Sequence, residues 1–297
     1  MRVPVGRAVG RARAGRGGPA LPRPFVLSAF PAAPLDAASV VECAALMRGS
    51  ADAVLLGDSG AARVQFPPAY RAMLVQAQGL PAWAGLACRD RNRVALEGEL
   101  AALAHAGVAG VHCVTGDHPA LGHRPDAAPV FDLESHELVP LARRYGLTVS
   151  VAESPGAPPV AQRARRLAQK VRAGAQLALL QYAGDAAAVA RFVGELRAAG
   201  ADVPVLPGVP VVVDRPGAEL LASFPAAVLP AGFLDAVLGA ADPFRAGVEA
   251  ALGYACELLA VDGVAGVVLG GGSGPGTERA LAAALGEIGR DLRRRMA

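Results

Sequence analysis

The sequence is poor in aromatic residues, which make up 4% of its 297 positions, and it holds four cysteines. Cys43, Cys88, Cys113 and Cys256 stand far apart with no CxxC pair, so the chain encodes neither a zinc knuckle nor a disulfide framework, and a reducing, cytoplasmic setting is expected. A stretch of about 18 uninterrupted apolar residues is also missing, which argues against a helical membrane span. Nor is there a basic patch in the main body. The formal charge of +3 comes from an Arg-rich start: Arg2, Arg7, Arg11, Arg13, Arg16 and Arg23 precede the first strand-like run, and without them 23 of the 29 basic residues face 26 acidic ones. Nucleic acid therefore finds no footprint there. Residues 1–23 mix Arg, Gly, Ala and Pro without an apolar core, unlike a signal peptide. They read as a disordered leader, with an Arg-rich targeting or polyanion-binding tail as the alternative.

What the chain has in quantity is small and aliphatic, 53% hydrophobic and dominated by Ala, Val, Leu and Gly. Such a composition suits parallel strands buried on both faces beneath small-residue helices. Short apolar runs at 24–30, 53–57, 82–87, 110–115, 148–152, 177–182, 203–208 and 265–269 alternate with segments of helical length. Those segments lie at 36–48, 68–78, 93–106, 133–145, 160–173 and 185–199, in two or three pieces within 218–261, and at 277–294. Several end in a glycine, such as Gly107 and Gly146, where a left-handed cap is wanted. Eight βα units in one chain predict a single α/β domain, a closed (β/α)8 TIM barrel over residues 24–297. An open doubly wound sheet is the other use of the same units.

In a barrel the chemistry belongs at the C-terminal ends of the strands. Polar residues gather there: Ser28; Asp58; Cys88, Arg89 and Asp90; Thr115 to His118; Glu153 and Ser154; Gln181 and Asp185; Asp214; and the glycine run from Gly270 to Gly276. Residues 111–119, VHCVTGDHP, form an apolar strand ending in a Gly-Asp turn that aims Asp117 over the mouth. A turn or N-cap role is the other reading of Asp117. Glu153 either pairs with Asp117 as acid and base or is a solvated loop glutamate. The glycine run either binds phosphate through backbone amides at a helix start or is a linker, and it lacks the P-loop Lys-Ser/Thr. His118, His123 and Asp126 share one loop but match no ligand spacing, so no metal is expected. Cys88 and Cys113 read as packing residues.

Residues 86–93 (LACRDRNR), 115–119 (TGDHP), 129–133 (PVFDL), 169–175 (QKVRAGA), Gln181 and 207–209 (PGV) fall on successive βα units. In that order and spacing, the sequence from Phe25 onward resembles the methylenetetrahydrofolate reductase family. The resemblance implies FAD lying across the strand ends, taking hydride from a reduced nicotinamide, NAD(P)H, and passing it to methylenetetrahydrofolate. It implies Asp117 near the flavin ring and the pterin, Gln181 bonded to the folate, Thr115 and Gly116 beside the cofactor, and Lys170 approaching the flavin diphosphate. An exposed helix lysine is the other reading of Lys170.

The departures carry as much information. The family's first strand bears a glutamate, three residues before a Pro-Pro pair, that protonates the folate nitrogen. Here Ser28 stands at that substrate-facing position, and no carboxylate precedes Asp36. A hydroxyl is far too weak an acid for that task, and general acid catalysis is worth about 100- to 10,000-fold. Gly57 replaces a flavin-touching Thr, Gly85 a His or Gln, Arg163 an acidic residue, and Glu153-Ser154 a small and aromatic pair. Changes at four places around one ligand predict weak flavin binding or a changed ligand. Three functions remain open: a flavin-dependent oxidoreductase acting on a folate or folate-like substrate; a flavin-free, redox-neutral reaction run by Asp117 and Glu153; and non-catalytic folate or partner binding. Ala/Leu-rich helices permit a homo-oligomer, and neither nucleic acid nor a membrane is expected as a partner.

Overall fold

A computed structural model of the chain describes residues 24–33, 35–58, 64–224, 226–273 and 276–296, so the leader at 1–23 lies outside the described residues. Eight parallel strands close into one barrel: β1 Phe25–Ala29, β2 Ala53–Leu56, β3 Ala82–Ala87, β4 Gly110–Val114, β5 Val149–Glu153, β6 Leu177–Leu180, β7 Val205–Val211 and β8 Gly266–Gly271. Each pairs with its neighbours in sequence, and Phe25↔Gly266 through Ser28↔Leu269 joins the last strand to the first. The barrel is therefore the closed form, not the open sheet.

The helices are α1 Ala37–Met47, α2 Pro68–Gln76, α3 Arg93–Ala106, α4 Ser135–Arg144, α5 Arg163–Arg172, α6 Ala186–Ala198, α7 Arg215–Ala222, α8 Phe233–Leu238, α9 Pro243–Leu259 and α10 Glu278–Arg295. Their starts are encoded locally. Asp36, Asn92, Asp185, Asp214 and Asp242 each accept a hydrogen bond from a first-turn N–H, a contact worth about 1 kcal/mol apiece. Asp185 and Asp214, candidates for the mouth, are thus helix caps. Gly107 ends α3 at φ +68°, a conformation that a Cβ disfavours.

Strand parity separates two cores. Phe25, Leu27, Trp83, Leu177, Leu179 and Leu206 fill the barrel interior. Val26, Val54, Leu86, Val111, Cys113, Val149, Val151 and Leu180 point the other way and pack with the helices in the larger core. That division decides where the candidate side chains go. Burial also suits Cys88 and Cys113 to packing: it pushes the Cys88 thiol up to about 12 and raises that of Cys113 further.

Candidate functional site

A cavity of about 610 Å³ opens at the C-terminal ends of β3 to β6, within the usual size range of small-molecule sites. Asp117, Glu153, Gln181, Thr115, Gly116 and Lys170 all line it. Ser28 and Gly57, the other two candidates, do not.

On the β4 side the turn is shaped by Gly116, at φ +84°, where an added Cβ would meet Ala87 Cβ and Arg89 Cβ at 3.1 Å. Thr115 donates to Glu134 Oε2 at 2.8 Å, and Arg89 pairs with Glu134 Oε1 at 2.8 Å. Burial raises the Glu134 carboxyl, but the hydrogen bonds from Arg89 and Thr115 outweigh it and hold the group below its ordinary value. Arg89 also lies 4.4 Å above the Phe131 ring. With Thr115 fastened behind it, the turn presents Asp117 exposed to the cavity, with no hydrogen bond or ion pair among the described residues.

On the β5 side the carboxylate is tied down. Glu153 has the strand parity of Val149 and Val151, so its side chain is directed toward α5 and is buried. Lys170 Nζ reaches Glu153 Oε2 at 3.1 Å and the Ala152 carbonyl at 2.5 Å. Arg163 Nη1 reaches Glu153 Oε1 at 3.3 Å and its Nε donates to the Ala157 carbonyl at 2.7 Å. Glu153 is therefore neither a solvated loop glutamate nor free to pair with Asp117. Burial lowers the Lys170 ammonium from its ordinary value, helped by Arg166 and Arg163 and opposed by Glu153. Lys170 is the only lysine in the sequence.

Gln181 sits at the tip of β6, where its Oε1 accepts from the Tyr182 N–H at 3.0 Å, leaving its amide nitrogen toward the cavity. Ser28 has the parity of Val26, is fully buried against the helix layer, and makes a 3.5 Å contact with the Ala29 carbonyl. It is directed away from the lumen. Gly57 is exposed, and its carbonyl accepts from Arg71 at 2.8 Å. Gly85 leaves no room for a larger residue: a Cβ there would stand 2.8 Å from Asp58 N and Leu56 O. Asp58 is itself buried, accepting from Ala87 N at 2.8 Å and from Arg91 at 2.6 Å.

Below the cavity, His112 projects into the barrel and bonds Ser150 Oγ at 2.9 Å through Nδ1. Ser150 is fully buried and accepts from Trp83 Nε1 at 2.9 Å, so one hydroxyl joins the indole and the imidazole inside the barrel. Burial drives the His112 value down to about 3.

Two cavity-lining cations escaped the sequence reading, Arg166 and Arg124. Arg166 makes no hydrogen bond or ion pair among the described residues, whereas Arg124 pairs with Asp126 at 2.5 Å. The signal for Arg166 was present in the basic positions 163, 166 and 170, which fall on one helical face. Among the described residues no three His, Cys, Asp or Glu side chains gather as a metal group, and no helix is long and apolar enough to cross a membrane. The glycine run is only partly described; there the Gly276 N–H is taken by Glu278 at 2.8 Å.

The sequence profile of the methylenetetrahydrofolate reductase family matches residues 56–267. A 5,10-methylenetetrahydrofolate reductase from Pectobacterium carotovorum subsp. carotovorum is 31% identical over 136 residues, covering 44% of this chain and 44% of that one. The match thus spans less than half the length of that relative. Among solved structures, an uncharacterized protein from Clostridium thermocellum that binds two copies of 5-methyl-5,6,7,8-tetrahydrofolic acid superposes with a TM-score of 0.68 at 12% identity, over 92% of this chain and 96% of that one. A 2,3-dimethylmalate lyase of the PEP mutase/isocitrate lyase superfamily reaches 0.50 at 14% identity, over 92% and 80%. These two likenesses concern the fold alone.

Proposed function

The chain belongs to the methylenetetrahydrofolate reductase family, and from that membership we propose that its barrel binds a reduced folate at the β3–β6 mouth without holding FAD in the family's manner. Support for a folate comes from the chemistry of the two uncommitted groups. A pterin edge offers adjacent N–H donors beside a carbonyl, which suits the free carboxylate of Asp117 and the free amide nitrogen of Gln181. The relative that binds 5-methyltetrahydrofolate shares the architecture. In this reading Asp117 and Gln181 bind the pterin, while Thr115 and Gly116 hold the turn in place.

FAD fits these residues poorly. The ammonium that would meet its diphosphate, Lys170, is spent on Glu153 and the Ala152 carbonyl. Glu153 brings a negative charge to the same place, and Gly57 and Gly85 offer no side-chain contact. The family's general acid has no counterpart either: Ser28 faces the helices, and both oxygens of Glu153 are engaged by Arg163 and Lys170. The observation that carries the reading is the contrast within one cavity between a free Asp117 and a locked Lys170–Glu153–Arg163 cluster. We assign the barrel to one domain over residues 24–297.

Titration calorimetry of the purified protein with 5-methyltetrahydrofolate and, separately, FAD tests this. Saturable folate binding, weakened 10- to 100-fold in Asp117→Asn, is expected, about the loss of one charge-assisted hydrogen bond. Tight one-to-one FAD uptake with a resolved visible spectrum would overturn the flavin-free part. Consumption of NADH or NADPH with methylenetetrahydrofolate, in the absence of flavin, separates a reductase from a binding module.

A further inference from the structure

Asp58, Asp90 and Asp117 line the β2 to β4 side of the cavity, and a single guanidinium serves two of them. Arg91 Nη1 donates to Asp58 Oδ2 at 2.6 Å and to Asp90 Oδ1 at 3.0 Å, while its Nη2 reaches Asp58 Oδ1 at 3.4 Å. The Asp58 side chain is 2% exposed and also accepts from Ala87 N and Gln65 Nε2, so both of its oxygens are engaged. Asp90 takes what is left of Arg91. Its Oδ2 makes no hydrogen bond among the described residues, and its side chain is 33% exposed. Burial raises the Asp90 carboxyl, with Arg91 opposing and Asp58 adding to the rise. Neighbouring charges are directed elsewhere: Arg89 to Glu134, Arg71 to the Gly57 carbonyl and Gln65, and Glu99 to Arg91 and the Ala69 N–H.

The partner that the sequence reading sought for Asp117 was Glu153, on β5; the carboxyl with a free oxygen lies instead on the other neighbouring loop, after β3. The two loops touch, since a Cβ on Gly116 would stand 3.1 Å from Arg89 Cβ and 3.5 Å from Arg89 N. Resting on the folate reading above, we propose that Asp90 is the proton carrier of the cavity: Asp117 binds the pterin edge, and Asp90 hands a proton to the basic N5 nitrogen of the reduced folate. In this step the Oδ2–H bond breaks and its electron pair stays on Oδ2, while the lone pair of the nitrogen takes the proton. The negative charge left behind is met by Arg91, already 3.0 Å from Oδ1. No electron donor or acceptor is needed, and solvent at the exposed face returns the proton. A carboxyl has the acid strength that a serine hydroxyl lacks, so the task falls to a strand other than the one that bears Ser28.

The test counts protons. Full-length protein is titrated with 5-methyltetrahydrofolate by calorimetry from about pH 5 to 8, in two buffers of different ionisation enthalpy, which gives the protons taken up per ligand bound. The wild type is expected to take up as much as about one proton and to bind more weakly as pH rises. Asp90→Asn should abolish the uptake and flatten the pH profile, with affinity at the alkaline end changed less than about threefold, and Asp90→Glu should bring the uptake back. Asp117→Asn should lose affinity at every pH and keep the uptake. Uptake that survives in Asp90→Asn, or that disappears in Asp117→Asn alone, would overturn the assignment and leave folate binding standing. A second readout needs no ligand: the carboxyl ¹³C signal that is missing from Asp90→Asn should titrate above the ordinary aspartate value, and titration at or below that value would overturn the assignment by itself. Absence of binding at every pH would sink the folate reading and the proton transfer together, an outcome distinct from the others because those require a bound folate.

Discussion

Replacing Glu153 with Ala should do two things at once, because one buried carboxylate serves two cations. Breaking a buried ion pair by removing one partner costs about 3–5 kcal/mol. The side chains of Arg163 and Lys170 keep 12% and 14% of their exposure, and both retain backbone carbonyl partners. That relief brings the expected loss to about 2–3 kcal/mol, or a fall in Tm of about 5–10 °C for a domain of this size. Glu153→Gln keeps an acceptor oxygen and should lose about half as much. The second effect concerns Lys170. Burial already holds its ammonium below the ordinary lysine range, and Glu153 is the main opposing influence. Without Glu153 the value must fall further. The unfolded chain then binds the proton more tightly than the folded one, so the variant's deficit should shrink as pH rises toward the ordinary lysine value. A single lysine makes this directly measurable: reductive ¹³C-methylation yields one lysine signal whose pH titration reports Lys170 alone. A wild-type signal titrating like free lysine, together with an unchanged melting temperature in Glu153→Ala, would refute the ion-pair cluster.

Other consequences can be checked alongside. His112 is held neutral, with its value near 3 against an unfolded 6.5, so its contribution is full above pH 6.5 and is lost as pH falls toward 3, a loss on the order of 5 kcal/mol; His112→Gln should flatten that acid limb in pH-dependent denaturant melts. Gly116→Ala must place a Cβ at φ +84° between Ala87 and Arg89, at a cost of about 1–3 kcal/mol by chemical denaturation, and should weaken folate binding by displacing Asp117. Ser28→Glu, meant to restore the family's acid, would bury a carboxylate against the helix layer; the expected outcome is several kcal/mol of destabilisation and no gain in reductase activity.

The barrel was legible because its signals are local and repeated. For α3 the expected and observed bounds coincide, since Asn92 caps its start and Gly107 its end. β7 runs three residues past its expected end because pairing with β8 holds the chain extended through Val211. The orientation of Ser28 was not legible at all. A strand buried on both faces has no polar alternation, and Val26, Leu27 and Ala29 say nothing about which side faces the lumen. Long-range pairing hid the rest. That Glu153 finds Lys170 and Arg163 depends on how α5 packs on β5, which spacing alone does not specify. Arg166 was obscured by its neighbours, because an arginine-rich helix looks solvated throughout until one face is seen to line a cavity.

The central claim is that a folate, and not FAD, occupies the mouth beside Asp117. A crystal structure of the protein soaked with both 5-methyltetrahydrofolate and FAD tests it most directly. Density for a pterin between Asp117 and Gln181, with Lys170 still on Glu153, is the predicted result. Flavin density across the strand tips, with Lys170 swung onto the diphosphate, would contradict it.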